Sequence, residues 1–351
     1  MVILSSSGSA QKTKVLIVDD SALMRKMLSD ILESDPALEV VGLASDPFVA
    51  RDRIKALNPD VITLDINMPR MDGLSFLEKI MTLRPMPVVM ISTLTEKGAK
   101  ETLEALELGA VDYITKPTTD LKNSFERIRS EICAKVKVAA KARVKNRLDH
   151  KVSVPSLIAE GRRGLPQLVA IGSSTGGVEA LTEVFRSLPA HCPPVVVVQH
   201  MPAGFTASFA ARLNKQCQPT VVEVQPGMRI EKGTIYIAPG DRHFRLKHAS
   251  SAIVADLYDG ETVSGHKPSV DVLFHSVAAL KMRYVQGIIL TGMGRDGAKG
   301  LLELRQNGAR TFGQNESSCL VYGMPRAAME LGSVEQEIPL QKVSSVIMGH
   351  V

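Results

Sequence analysis

The fold is decided by the segment Ile171-Gly-Ser-Ser-Thr-Gly-Gly177, which follows an apolar run at 167–170 and precedes a helical pattern at 178–188. An apolar run, a glycine-rich turn and a segment of period 3.6 predict a strand, a tight turn and a helix. Residues 172–176 match G-x-S-x-G, the pattern of a nucleophile elbow. In such an elbow Ser174 lies at a helix N-terminus, where N–H groups stabilise an oxyanion. A structural turn of small residues or a phosphate-binding turn remains the alternative.

The composition is typical of a globular protein with two domains. The chain has 351 residues, of which 44% are hydrophobic and 23% charged. No apolar stretch approaches the roughly 18 residues that a membrane span needs, and residues 1–10 lack the basic segment of a signal peptide. The four cysteines show no C-x-x-C spacing. They predict neither a disulfide framework nor a zinc site, and we expect a cytoplasmic location.

The first half alternates between short apolar runs and helical patterns. Strands are predicted at 14–20, 39–43, 61–64, 87–91 and 111–114, and helices at 21–32, 47–57, 72–82, 97–108 and 120–129. Five strand–helix units of this length predict a doubly wound parallel sheet.

Polar side chains follow several of these strands. Asp19 and Asp20 end the first strand, Asp65 ends the third, Ser92 ends the fourth and Lys116 follows the fifth. The carboxyl ends of parallel strands meet in one crevice, so we expect these groups to lie together. Three converging carboxylates repel one another unless a cation neutralises them, and oxygen ligands favour Mg²⁺.

Three motifs carry a resemblance to the response-regulator receiver domain over residues 13–130. They are Val18-Asp-Asp20, Leu64-Asp-Ile-Asn-Met-Pro-Arg-Met-Asp-Gly73 and Thr115-Lys-Pro117.

The resemblance implies that a histidine kinase phosphorylates Asp65 with Mg²⁺ present. It makes Asp20 a direct metal ligand and Asp19 a ligand through water, with Asn67 giving its backbone carbonyl. Tyr113 matches the aromatic residue of the family's switch, which also involves Ser92 and Lys116.

Residues 131–164 are strongly basic. They hold nine Lys or Arg against three acidic residues. We interpret them as a helical extension that passes into a linker. A nucleic-acid-binding role for this segment is the alternative, but the residues after it show no recognition-helix pairing. The residues after 164 instead suggest continued strand–helix alternation.

The second half, 165–351, offers partners for Ser174. His200 directly follows Pro193-Pro-Val-Val-Val-Val-Gln199, a run that predicts a strand buried on both faces. Asp296 lies in the glycine-rich turn after the strand predicted at 286–290. A serine needs a base, and the base needs an orienting carboxylate, so Ser174, His200 and Asp296 form a candidate triad. His243 is an alternative residue facing the same crevice.

The turn around Asp296 supports a rival interpretation. Gly292-Met-Gly-Arg-Asp-Gly297 matches G-x-G-x-x-G between a strand and a helix, with Glu316 about 20 positions later. A dinucleotide-binding enzyme is therefore a second alternative. This interpretation gives the Ser174 turn no role. It would also place the negative charge of Asp296 near the pyrophosphate of the bound dinucleotide.

Further motifs resemble those of the CheB family, the chemotaxis response regulator protein-glutamate methylesterases, over about 165–348. The matching segments are 171–177, Gln199-His-Met-Pro202, 238–243, His266-Lys-Pro-Ser-Val-Asp-Val-Leu-Phe274 and 291–297.

This second resemblance implies hydrolysis of glutamate γ-methyl esters on the cytoplasmic helices of chemoreceptors, and deamidation of receptor glutamines. It maps Ser174, His200 and Asp296 onto the family's triad and Met293 onto a residue near the oxyanion site. Thr175, beside the nucleophile, is a further oxyanion candidate. No cofactor is expected in the esterase domain.

We therefore expect two doubly wound, mainly parallel-sheet α/β domains: a flavodoxin-like receiver, then a Rossmann-like three-layer esterase. The expected partners are a chemotaxis histidine kinase and methylated receptors. Membrane contact is expected only through those receptors, and no nucleic acid is expected.

Overall fold

The computed structural model describes residues 11–116, 125–142, 144 and 165–350. The chain divides into two units, Met1–Thr93 with Leu108–Arg147 and Leu94–Glu107 with Leu148–Val351. No helix within the described ranges is long and apolar enough to cross a membrane.

The first sheet has five parallel strands in the order β2-β1-β3-β4-β5. The strands are β1 Thr13–Val18, β2 Leu38–Ala44, β3 Val61–Asp65, β4 Val88–Ser92 and β5 Asp112–Thr115. The helices in chain order are α1 Ala22–Glu33, α2 Pro47–Leu57, α3 Gly73–Leu83, α4 Glu96–Glu107 and α5 Phe125–Ala139. This strand order is that of the flavodoxin-like fold, as expected from the sequence.

Local sequence explains where these elements begin. The Ser21 side chain caps α1 by accepting a hydrogen bond from the Met24 N–H. Asp46 caps α2 by accepting from the N–H groups of Phe48 and Val49, with Pro47 in the first turn. Both are helix-start signals of the expected kind, because their oxygens satisfy N–H groups that have no partner within the helix.

Helix α5 continues past Arg129, where the helical pattern of the receiver was expected to end. The continuation buries Ile132, Cys133, Val136 and Ala139. Their spacing places them on one face of the helix, so the first part of the predicted helical extension packs as part of α5. Residues 145–164, the rest of the predicted linker, lie outside the described residues.

The second unit contains a seven-stranded parallel sheet in the order β14-β13-β12-β6-β7-β9-β8. The strands are β6 Leu168–Ser173, β7 Val195–Gln199, β8 Thr220–Glu223, β9 Thr234–Ile237, β12 Val285–Ile289, β13 Arg310–Gln314 and β14 Gln336–Ile338. The helices are α6 Gly177–Arg186, α7 Phe205–Gln216, α8 Val270–Ala279, α9 Ala298–Gln306, α10 Met324–Glu330 and α11 Val343–Ile347.

Strand β6 lies at the centre of this sheet, between β12 and β7. Strands that follow β6 directly extend the sheet on one side, and strands later in the chain extend it on the other. Ligands of doubly wound folds bind at such a switch point, outside the carboxyl ends of the strands. The turns after β6, β7 and β12 therefore meet at one crevice.

One part of the second unit departs from the expected strand–helix alternation. Strands β10 His243–Ala249 and β11 Ala252–Tyr258 form an antiparallel hairpin outside the main sheet. The hairpin packs on the core through Phe244, Leu246 and Ala255. In β10 the residues Phe244-Arg-Leu-Lys247 alternate between buried and exposed, which is the pattern of a half-buried strand.

We predict that Gly172→Ala destabilises the protein, because the first residue of α8 packs directly on β6. A methyl group at Gly172 would lie 2.2 Å from Val270 Cγ1. Overpacking of this kind costs about 1–3 kcal/mol. Val270→Ala removes the clashing atoms, so the double variant is expected to be more stable than the sum of the single effects predicts. Urea denaturation of the three variants measures this coupling, and strict additivity would contradict the packing.

Candidate functional site

Ser174 lies in the turn between β6 and α6. Its N–H donates to the Thr291 carbonyl over 3.0 Å, and its own carbonyl accepts from the Gly177 N–H over 2.8 Å. Gly176 has a φ of +78°, a left-handed conformation that favours glycine. The expected sharp turn at the end of a central strand is therefore present, and it is tied to the turn after β12.

His200 follows β7 directly and faces the same crevice. Its backbone N–H donates to the Ser173 carbonyl over 3.1 Å. Its ring Nε2 lies 2.8 Å from Asp296 Oδ2. The other ring nitrogen, Nδ1, is buried and has no hydrogen-bond partner among the described residues.

The Asp296 carboxylate is held at the N-terminus of α8. Oδ1 accepts from the Ser269 hydroxyl (2.8 Å) and the Asp271 N–H (3.1 Å), and Oδ2 accepts from the Val270 N–H (2.7 Å). Only 1% of the residue is exposed. Burial favours a higher pKa, but the hydrogen bonds from His200, Val270 and Ser269 outweigh it and hold the pKa of Asp296 below its ordinary value. Asp296 is therefore a fixed anion near neutral pH.

The bonds of Asp296 determine the tautomer of His200. An ionised carboxylate only accepts hydrogen bonds, so Nε2 of His200 carries the proton and Nδ1 is the acceptor. This tautomer is assigned from the hydrogen-bond network. The basic atom of His200 is thus Nδ1.

His266 stacks on His200, a contact that the sequence did not predict. The ring centroids are 3.7 Å apart and the planes differ by 11°. His266 is paired with Val263 across a tight turn whose central residues, Ser264 and Gly265, both have positive φ. In the sequence, His266 is marked only by its place in the motif at 266–274.

His243, the alternative crevice residue, has both ring nitrogens engaged. Nε2 contacts the Glu261 carbonyl over 2.8 Å, and Nδ1 accepts from the Ser269 N–H over 3.3 Å. The residue is fully buried. His243 therefore supports Ser269, which in turn donates to Asp296.

Thr175 and Met293 lie beside the Ser174 turn. Thr175 is largely buried, and its carbonyl accepts from the Thr291 hydroxyl over 3.0 Å. Met293 is half-buried. It follows Gly292, which lies so close to the Ser174 turn that a Cβ added to it would be 3.0 Å from the Ser174 backbone nitrogen. Since the Ser174 N–H itself donates to Thr291, it is not an oxyanion donor. The predicted roles of Thr175 and Met293 stay predictions.

The glycine-rich turn at 292–297 offers little support for a dinucleotide site. Its acidic residue, Asp296, contacts His200 and the start of α8, and so has a role within the protein. Glu316, the acidic residue proposed for a ribose, is exposed.

The first unit brings three carboxylates together at the ends of β1 and β3. Oxygen atoms of Asp19, Asp20 and Asp65 all lie within 4.8 Å of one another. Asp19 Oδ2 and Asp65 Oδ1 are buried without a hydrogen-bond partner among the described residues. Burial raises the pKa of Asp65, although Lys116 counteracts it. Buried carboxylate oxygens without partners fit a hard divalent cation.

The remaining predicted receiver residues surround this cluster. Lys116 Nζ lies 2.8 Å from Asp65 Oδ2 and 3.6 Å from Asp19 Oδ2. Asn67 is exposed at the turn after β3, and its backbone N–H lowers the pKa of Asp65. Ser92 is buried at the end of β4, and its carbonyl accepts from the Lys116 N–H over 2.7 Å.

Tyr113 on β5 is also buried, with 6% of the residue exposed. Its carbonyl accepts from Lys135 Nζ over 2.8 Å, and the same ammonium lies 5.0 Å from the ring centroid. Lys135 comes from the part of α5 that lies beyond the expected end of the receiver.

The two units together define a response regulator with a hydrolase output domain. Residues 15–129 match the response regulator receiver domain, and residues 169–347 match the CheB methylesterase model. The chain belongs to the CheB methylesterase family.

Similar proteins agree with this assignment. A protein-glutamate methylesterase/protein-glutamine glutaminase of Rhizobium johnstonii is 54% identical over 95% of both chains. A protein with the same name from Escherichia coli is 51% identical over 97% of both chains. The crystal structure of the Thermotoga maritima CheB methylesterase catalytic domain is 35% identical with a TM-score of 0.52. It covers 54% of this chain and 100% of that one.

We predict that Asp296→Asn reverses the tautomer of His200. An amide NH₂ facing Nε2 is a donor, so the ring is expected to move its proton to Nδ1, as in the corresponding serine-protease variant. The ¹⁵N chemical shifts of the labelled imidazole distinguish the two tautomers. Asp271→Asn is the control, because Asp271 accepts from Gly300 and Ser264 instead. An unchanged tautomer in Asp296→Asn would contradict the assigned network.

Proposed function

We propose that this protein hydrolyses glutamate γ-methyl esters on the cytoplasmic helices of methylated chemoreceptors and deamidates glutamines there. Phosphorylation of Asp65 by a chemotaxis histidine kinase controls the reaction. The names of the relatives support the substrate. The observation that carries the proposal is the His200–Asp296 pair, which lies at the same sheet edge as the Ser174 turn.

The first half of the reaction acylates the enzyme. Ser174 Oγ attacks the ester carbonyl carbon, and its proton passes to Nδ1 of His200. Asp296 stabilises the imidazolium through Nε2. Backbone N–H groups near Thr175 and Met293 stabilise the oxyanion. The C–O bond to the methoxy group then breaks, and methanol leaves with the proton from His200.

The second half releases the receptor. Water loses a proton to Nδ1 of His200 and attacks the acyl carbon, the bond to Ser174 Oγ breaks, and Ser174 regains the proton. The product is a glutamate carboxylic acid, which loses its proton to solvent and becomes the carboxylate. With a glutamine substrate the same steps release ammonia instead of methanol. The esterase site uses only side chains and backbone groups in these steps.

The receiver residues would control this activity through Asp65. Asp20 and Asp65, the Asn67 carbonyl and Asp19 through water are the residues that would hold Mg²⁺. The ion, when bound, would neutralise charge on the transferred phosphoryl group. Lys116 lies against Asp65 and would pair with the added phosphoryl oxygens, as ammonium groups do with phosphate.

The rest of the switch is proposed from position. Ser92 lies at the end of β4, which is next to the strand β3 that carries Asp65, and Tyr113 lies on β5, the strand beyond β4. A hydroxyl at Ser92 and a buried ring at Tyr113 can reorient when Asp65 gains charge. We place the reaction in the cytoplasm, where the four free cysteines would stay reduced.

A nucleic-acid-binding output is the weaker candidate. It depends on the basic residues 131–164, most of which lie outside the described residues. No observation in the described part of the chain favours it over ester hydrolysis.

Methanol release from methylated receptor membranes tests the proposed function. We expect Ser174→Ala, His200→Ala and Asp296→Ala each to lower turnover by roughly 10⁴-fold or more, without additive losses in the double variants. Non-additivity is expected because the three groups act in one proton transfer.

The matched controls are Ser187→Ala, His275→Ala and Asp256→Ala, which alter the same residue types away from the crevice. They are expected to keep near wild-type turnover. Absence of methanol release from the wild-type protein would exclude the substrate, and additive losses would exclude the triad.

Calorimetric titration with Mg²⁺ tests the carboxylate cluster. Asp19→Asn and Asp20→Asn are expected to weaken binding at least about 10-fold, since each removes a negative charge from the site. Lys116→Met is expected to strengthen binding, because the ammonium of Lys116 already neutralises the carboxylates. Asp30→Asn on α1 is the control and leaves the affinity unchanged. Weaker binding in Lys116→Met would contradict this arrangement.

A further inference from the structure

Gln199, the last residue of β7, hydrogen-bonds to the backbones of Ser174 and His200, the two residues between which we propose that a proton is transferred. Its Nε2 donates to the Ser174 carbonyl over 2.9 Å and to the His200 carbonyl over 3.2 Å. Its Oε1 accepts from the Ser173 hydroxyl over 2.7 Å. Only 2% of the residue is exposed. One side-chain amide thus connects the ends of β6 and β7.

The space for this amide depends on the first residue of α6. A Cβ at Gly177 would lie 2.0 Å from Gln199 Oε1 and 2.9 Å from Ser173 Oγ. Any side chain at Gly177 would therefore displace the amide. The Ser174 turn therefore has space for the Gln199 amide only because residue 177 is glycine.

The donors of Gln199 bind carbonyl groups that lie beyond the ends of β6 and β7. Ser174 and His200 both lie in turns just beyond their strands, where the ladder of strand hydrogen bonds has ended. A second hydrogen bond described between these segments runs from the His200 N–H to the carbonyl of Ser173, the last residue of β6. One backbone bond and one side-chain amide therefore link these two segments directly, in addition to the bonds that tie Ser174 to Thr291 and His200 to Asp296.

We propose that Gln199 is a positioning residue that sets the distance between Ser174 and His200. This inference rests on the proposed function, since it assigns these two residues to one proton transfer. Gln199 touches neither reacting atom. A displacement of about 1 Å between reacting groups can cost about 10²-fold in rate.

The test measures how fast Ser174 reacts with a fluorophosphonate probe. In this reaction Ser174 Oγ forms a bond to phosphorus, fluoride leaves, and the serine proton passes to His200. The probe does not require the receptor substrate. If the protein released no methanol but its labelling still depended on Gln199, only the proposed substrate would be rejected. The two proposals can therefore fail separately.

Gln199→Glu is the informative variant because it keeps the shape of the side chain and removes its donors. At neutral pH the introduced carboxylate faces two carbonyl oxygens, and we expect labelling to fall about 10²-fold. As the pH falls, the introduced carboxyl gains a proton and can donate one hydrogen bond. The ratio of the variant rate to the wild-type rate is therefore expected to rise as the pH falls.

Gln286→Glu is the matched control. Gln286 is a buried glutamine near the opposite end of the central strand β12, and its Oε1 has no partner among the described residues. We expect it to lower stability without changing the pH dependence of labelling. Equal losses in the two variants, or a constant rate ratio for Gln199→Glu across pH, would show a merely structural role and overturn the proposal.

Ser173→Ala tests a smaller change, because both hydrogen-bond donors of Gln199 remain in this variant. It removes only the hydrogen bond to Oε1. We expect labelling to fall less than about 10-fold, because the bonds to the Ser174 and His200 carbonyls remain. A loss as large as that of Gln199→Glu would overturn the assignment of the effect to those donors.

Discussion

The second unit depends on how the buried carboxylate of Asp296 is stabilised. An uncompensated charge at such a depth costs several kcal/mol, so each oxygen must find donors. The N-terminus of α8 supplies two N–H groups and the Ser269 hydroxyl, and His200 supplies a ring N–H. Strands β7 and β12 and helix α8 can satisfy this carboxylate only when they are assembled together. The hydrogen bonds that stabilise the buried carboxylate in the folded protein thus also orient His200.

The two units use carboxylates at strand ends in opposite ways. In the second unit Asp296 is saturated by donors, which lower its pKa and keep it a fixed anion. In the first unit Asp19 and Asp65 each keep a buried oxygen without a hydrogen-bond partner in the described ranges, and burial raises their pKa values. A saturated carboxylate orients a neighbour, whereas an unsaturated pair fits the proposed binding of a cation and modification of Asp65. The same sheet geometry therefore gives a rigid site in one unit and a responsive site in the other.

Local sequence predicted most strands and the residues that end them, because parallel strands read as short apolar runs and their carboxyl ends must meet. Ser174, His200 and Asp296 were found in this way. The β10–β11 hairpin was missed because strand–helix alternation was assumed to continue. Gln199, His266 and Ser269 were missed as contributors for a different reason. Gln199 donates to Ser174, 25 positions away, Ser269 donates to Asp296, 27 positions away, and His266 stacks on the distant His200. No local pattern encodes such pairings.

Two independent constraints act on His200, one on its ring and one on its backbone. Asp296 and the stacked His266 limit ring rotation and fix which nitrogen carries the proton. They do not fix how far the turn after β7 lies from the turn after β6, because neither contacts the backbone of Ser174 through any bond described above. That distance depends on the strand register and on the Gln199 amide. In the proposed proton transfer, a correct tautomer at the wrong distance would transfer no proton, and a correct distance with the wrong tautomer would present no base. Both constraints must therefore be met at once, which explains why so many buried polar groups converge on one edge of the sheet.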